Sequence, residues 1–184
     1  MGDGSVVRVL GISGSLRGAS SNSALVRAAV QLAPAAVELS IYPELGDIPP
    51  FNPDLDTEAV PPAVSRFRAA LQASDAVLIS SPEYAHGVSG VLKNALDWVV
   101  GSGELIDKPI ALINTSARAT HAQAALCETL TTMSGHVIQD ASLTIPLVAT
   151  ALDAAGNVCD PRLSTSLTSA IDALARSVHA RRAL

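Results

Sequence analysis

This sequence predicts an open, parallel α/β sheet with helices on both faces, and three observations lead there. Strand-length apolar runs alternate with helical stripes from one end of the chain to the other. One run, Ala76-Val77-Leu78-Ile79, is continuously apolar, as expected for a strand covered on both faces. A turn of small residues, Gly14 to Ser23, joins the first strand to the start of the first helix.

The elements follow in order. Residues 6–12 form an apolar strand, and Ala24, Leu25, Ala28, Ala29 and Leu32 then mark one side of a helix. Val37 to Ile41 alternates apolar and polar, which suits a strand nearer the sheet edge. Residues 42–62 are a long irregular connection rich in Pro, Asp and Gly, a length usually functional or poorly ordered. A helix over 63–73 carries Val64, Phe67 and Leu71, and the strand at 76–79 follows. Val91, Leu92, Ala95, Leu96 and Val99 give the next helix, 109–114 a fourth strand, 120–133 a helix and 137–145 a fifth strand. Leu163, Leu167, Ile171, Leu174 and Val178 are a final helical stripe.

Five strands separated by helices imply parallel pairing with right-handed crossovers. With no composition break or internal repeat, residues 1–184 read as a single domain, most simply with the flavodoxin-like strand order 2-1-3-4-5, a three-layer sandwich. Ligands in such sheets lie beyond the carboxyl ends of the strands, next to the switch in strand order. The exits of strands one, three and four, at 13–23, 80–90 and 114–120, therefore converge on one crevice.

The first exit loop has the chemistry of a phosphate cradle. Its small residues gather backbone N–H groups at the positive end of a helix, and its serines, Asn22 and Arg17 add donors and a charge. The second loop sets Tyr84 between Pro82 and Gly87 in a chain with only 3% aromatic residues, so a flat ligand is indicated. The third, Asn114 to Thr120, is small and polar and offers N–H groups and Arg118.

Composition narrows the classes further. A 48% hydrophobic content suits a compact globule, and a net charge of −5 is a poor match to nucleic-acid backbones or anionic membranes. No apolar run approaches the roughly 18 residues needed to span a bilayer. Two cysteines without metal or CxxC spacing, and no signal-peptide pattern after Met1, make a reducing cytoplasm the expected compartment. Neither GxGxxG nor GxxxxGK[ST] occurs, and Gly11-Ile12-Ser13-Gly14-Ser15 only approaches a GxSxG elbow. The four histidines lack metal-ligand spacing, and His136, just past a helix, reads as a partner of its C-terminal dipole. Lys93 and Asp97 read as a helix-surface pair, and Trp98 as an exposed residue on a partner surface.

Two segments carry a resemblance. Gly14-Ser15-Leu16-Arg17, with Ser20 and Asn22, resembles the GSLRxxSxN phosphate loop of the NADPH-dependent FMN reductase family. Pro82-Glu83-Tyr84, Gly87, Gly90 and Leu92-Lys93-Asn94-Ala95-Leu96-Asp97-Trp98 resemble its PEYxxGxxGxLKNALDW segment. The branch includes quinone, chromate and azo-dye reductases. The resemblance implies that Ser15, Arg17, Ser20 and Asn22 hold the FMN phosphate, with Ser21 as a further candidate. It implies that Pro82, Glu83, Tyr84 and Gly87 line the isoalloxazine edge, chiefly through backbone groups, and that Ser116, Ala117 and Arg118 touch the flavin from the third loop. Where the family commonly has asparagine after the tyrosine, this chain has Ala85. The expected activity is hydride transfer from NADPH or NADH to FMN and then to a quinone-like small-molecule acceptor, in a homodimer or homotetramer. The flavin carries the chemistry, so no catalytic side chain is assigned. The competing reading is a non-catalytic flavin-binding or electron-carrier module.

Overall fold

β1 (Val7–Ser13) is the strand on which the rest is assembled. It pairs in parallel with β2 (Val37–Ile41) on one side and β3 (Ala76–Ser80) on the other. α1 (Ser21–Leu32) makes the crossover to β2, and α2 (Pro62–Ala73) the crossover to β3. After β3 come a two-strand hairpin, β4 (Glu83–Tyr84) and β5 (Gly87–Val88), and then α3 (Gly90–Asp97). β6 (Pro109–Asn114), α4 (Thr120–Thr132), β7 (His136–Val137), β8 (Leu143–Thr144) and α5 (Pro161–Arg182) complete the order. This computed structural model describes residues 5–146, 151 and 157–183.

The sheet runs β2-β1-β3-β6-β7, with β8 also paired to β6. In order and direction this is the predicted 2-1-3-4-5 sheet. The fifth position differs from expectation, because the strand predicted over 137–145 is broken by a 3-10 turn at Gln139–Ala141. The break folds Ala141 into the core, and the Ser142 hydroxyl accepts from Leu112 N (3.1 Å) where a ladder carbonyl would stand. His136 belongs to β7, its N–H bonded to Lys108 O (2.9 Å), and so is a ladder residue and not a helix-end partner.

Side-chain alternation along the strands fills two cores. Val7, Val9, Ala76, Leu78, Ala111 and Ile113 meet α1 and α5 on one face. Leu10, Ile12, Val77, Ile79, Ile110 and Leu112 meet α2, α3 and α4 on the other. Gly11 lets α1 close onto β1, since a Cβ there would lie 2.7 Å from Val26 Cγ1.

The long connection after β2 is an ordered strap with two 3-10 turns, Leu45–Asp47 and Pro53–Leu55. Asn94 on α3 holds it, accepting from Phe51 N (2.7 Å) and donating to Pro49 O (2.9 Å). Trp98 Nε1 donates to Pro49 O (2.8 Å), and its ring meets Phe51 edge-on at 5.1 Å. Trp98 is therefore fully buried, against the expectation of an exposed partner-surface residue; the strap covers it.

Candidate functional site

Asn22 is the latch of the site. Buried in the first turn of α1, its Oδ1 accepts from Ser80 Oγ at the end of β3 (2.9 Å) and from Thr115 Oγ1 after β6 (3.3 Å). One side chain thus ties the exits of β1, β3 and β6 together. Gly14 N donates to Ser80 O (2.8 Å), and a Cβ on Gly14 would stand 2.4 Å from Ser81 Oγ. Only glycine lets the first loop lie so close to the second.

The first loop is organised by its hydroxyls. Ser20 caps α1, its side chain accepting from Ser23 N (3.3 Å), and the Ser13 and Ser23 hydroxyls pair at 2.8 Å. Capping leaves the Ser21 and Asn22 N–H groups without an acceptor among the described residues, and the first turn of α1 has no acid. Arg17 is exposed and has no ion-pair partner there either.

In the second loop, the hairpin β4–β5 is docked onto the start of α4. α4 has no side-chain cap of its own, and the Glu83 carboxylate accepts from Ala122 N (2.8 Å) instead. The His86 and His121 rings stack at 4.1 Å between centroids, 18° from parallel. Tyr84, between these two anchors, keeps 59% of its surface exposed. In the third loop, buried Asn114 donates to Ala119 O (2.8 Å) and accepts from Ser116 N (3.0 Å), fixing the turn.

These loops enclose a cavity of about 290 Å³, open on one side. Of the residues expected at the site, Ser15, Arg17, Ser20, Ser21, Asn22, Pro82, Glu83, Tyr84 and Ser116 line it. Gly87, Ala117 and Arg118 do not. Ala19, Ser81, Asn114, Thr115 and Ala119 also line it and were not among the expected residues. Asn114 carried a usable signal, since an amide ending an otherwise apolar strand has to be satisfied at the crevice. Ser81 and Thr115 carried none beyond their place in the exit loops.

An FMN phosphate suits this donor set. Two free N–H groups at a helix start, several hydroxyls and one guanidinium unpaired among the described residues line the cavity, and the first turn of α1 carries no acid. The exposed Tyr84 ring next to Pro82 gives the open side an apolar face for a planar group.

Known proteins resemble this chain in sequence and fold. The sequence model of the NADPH-dependent FMN reductase family matches residues 7–150. An NAD(P)H-dependent FMN reductase of Pseudomonas aeruginosa is 36% identical over 173 residues, covering 91% of this chain and 93% of the relative. A quinone reductase of Pseudomonas putida is 41% identical over 117 residues, 62% of each chain. Among solved structures, the flavoenzyme NAD(P)H:(acceptor) oxidoreductase FerB of Paracoccus denitrificans superposes with a TM-score of 0.80. It is 32% identical, over 94% of this chain and 97% of that one.

Proposed function

The chain belongs to the NADPH-dependent FMN reductase family, an NAD(P)H-driven flavin oxidoreductase, and from that premise we propose that the three-loop cavity is its FMN site. One observation carries the assignment: the unpaired N–H groups of Ser21 and Asn22, the Arg17 guanidinium and the Tyr84 hairpin all border one cavity. When bound, FMN supplies hydride acceptance from NAD(P)H and delivery to a small-molecule acceptor.

The protein's own contribution is binding, orientation and charge. Arg17, Ser15, Ser20 and Ser21 hold the phosphate, and Asn22 both lines the pocket and keeps its three walls in register. Pro82, Glu83 and Tyr84 border the ring, with the Glu83 carboxylate holding the hairpin on α4. Backbone N–H groups at the cavity wall that the protein does not itself use would favour negative charge on a bound ring, as an oxyanion hole does for its oxygen. Gly87, Ala117 and Arg118, expected to touch the flavin, lie outside the cavity lining and are left out of this assignment. Quinone-like acceptors fit the open side beside Tyr84.

The test is direct. Protein mixed with FMN and NADPH should bleach the flavin and recolour it repeatedly when a quinone is added. Bleaching that stops after one turnover would favour the electron-carrier reading. Arg17→Ala should weaken FMN binding about ten- to a hundredfold, the loss of one charge-assisted contact, in a fluorescence titration. Unchanged affinity removes Arg17 from the phosphate site.

Val100, Ile106 and Leu55, all exposed near the end of α3, are the surface on which a homodimer or homotetramer forms, and light scattering at micromolar concentration reads it. No helix among the described residues is long and apolar enough to cross a membrane. The free thiols Cys127 and Cys159 suit a cytoplasmic, reducing compartment.

A further inference from the structure

We propose that a second cavity, behind the phosphate loop, receives the 2′-phosphorylated adenosine end of NADPH, and that Arg27 is the residue selecting it over NADH. The inference rests on the flavin-site reading above and names where its nucleotide substrate is held.

The cavity, of about 210 Å³, lies between α1 and the carboxyl ends of β1 and β2. Ser15 is the wall it shares with the flavin cavity, so a ligand reaching from one to the other crosses a single residue. One part of its wall is apolar: Leu16 and Ile41, 61% and 37% exposed, with Pro43 beside them. Leu16 is braced against Gly46, whose Cβ position lies 3.1 Å from Leu16 Cδ2.

The other part is a cation with hydroxyls. Arg27 lines the cavity from α1 next to Ser13 and Ser23, and among the described residues no acid pairs with it. Glu44, the acid nearest in sequence to the apolar wall, is held by Arg66 at 2.6 Å. An exposed apolar shelf beside an unpaired guanidinium matches a purine nucleoside carrying a phosphate: the base covers the shelf and the phosphate meets Arg27 bidentately. NADH has a hydroxyl at that position and gains nothing from the guanidinium. Arg118, the cation of the third exit loop, borders neither cavity.

Steady-state kinetics of Arg27→Ala test the assignment. Arg27 is exposed on a helix, and alanine favours helix, so the variant keeps the fold. We expect kcat/KM for NADPH to fall about ten- to a hundredfold while kcat/KM for NADH and the FMN dissociation constant stay within about twofold. Arg27→Lys, a point charge, should retain part of the preference. Equal losses with both nucleotides, no loss with NADPH, or the NADPH loss appearing in Arg118→Ala instead would overturn it. A drop in FMN affinity in Arg27→Ala would likewise overturn it, placing Arg27 on the flavin phosphate.

A second readout needs no turnover. In calorimetry on the full chain, with and without FMN, 2′,5′-ADP should bind the wild type and not Arg27→Ala, and 5′-AMP should bind neither measurably. Binding of 2′,5′-ADP that inorganic phosphate displaces at equal concentration means a free-phosphate site and refutes the nucleotide. Because this signal does not depend on FMN, failure of the flavin-site reading and failure of the nucleotide subsite are told apart.

Discussion

Ala85 and His86 both adopt positive φ, 49° and 61°, at the turn between β4 and β5. A two-residue hairpin turn of this kind demands left-handed backbone at both central positions and prefers Asn or Gly there. For alanine the conformation costs about 1–2 kcal/mol. Ala85→Asn should therefore raise stability by about 0.5–1 kcal/mol, read as a higher Tm, with the hairpin unchanged. A lower Tm would mean that Ala85 makes a contact worth more than the strain. Tyr42 poses the opposite case. Its hydroxyl is buried without a hydrogen-bond partner among the described residues, and burial, with the nearby Glu44 charge, pushes its pKa up. Tyr42→Phe removes an unsatisfied donor and keeps the 5.0 Å ring contact with Phe67, so stability should rise by about 1 kcal/mol. Denaturant unfolding at neutral pH measures it. Both residues were visible in the sequence, but neither the turn type nor the orphaned hydroxyl was. Turn geometry follows from how β4 and β5 pair, and the fate of a hydroxyl from what three separate elements place around it.

Among the elements, legibility followed the range of the forces involved. β1, β3 and β6 were readable because each is short, apolar and buried, and their side-chain alternation between two cores needs no further information. The same alternation placed the three exit loops together, which is why nine of the twelve expected site residues line one cavity. The strap at 42–62 was not readable, because what orders it lies about forty residues away on α3. In the sequence Asn94 and Trp98 are only family motif letters, with Trp98 expected on the surface; in the structure their shared physical task is to bind the strap's carbonyls. Arg68 adds to it, bridging Asp56 (2.8 Å) on the strap and the Trp98 carbonyl. Asn94→Ala strips two kinds of contact from this segment, the acceptor for Phe51 N and the donor to Pro49 O. It should cost about 1–3 kcal/mol and deprotect residues 48–52 in hydrogen exchange. FMN affinity should hold, since no strap residue beyond Leu45 borders either cavity. Protection unchanged at 48–52 would show that Trp98 suffices alone.

At the scale of the whole molecule, Asp75 joins the two ends of the chain. It sits just before β3, accepts from Arg8 N in β1 (2.8 Å), and pairs with Arg182 at the end of α5 (3.0 Å). Burial works against its ionisation, yet the Arg8 N–H, the Arg182 guanidinium and the Arg8 charge together hold its carboxyl below the ordinary carboxylate range. A carboxylate depressed in the folded state binds fewer protons there than in the unfolded chain, so its stabilisation is complete above the unfolded pKa of about 3.9. It is lost as the pH falls through the lower folded value. The wild type should therefore lose Tm steeply as the pH falls below about 4, and Asp75→Asn should show a shallower slope there. At pH 7 the variant should be less stable by about 1–3 kcal/mol, because Arg8 and Arg182 keep their charges without their shared partner. The comparison of slopes is what isolates Asp75, since every other carboxylate titrates in both proteins alike. Parallel Tm curves for the two, at any offset, would place the acid sensitivity elsewhere and leave Asp75 as a neutral hydrogen-bond acceptor. This clasp lies at the amino-terminal edge of the sheet, where Asp75 leads into β3, and the exit loops of the flavin cavity are at the opposite edge. Acid loosening should accordingly release α5 and β1 before FMN, so that tail protection in hydrogen exchange fails at a higher pH than flavin release.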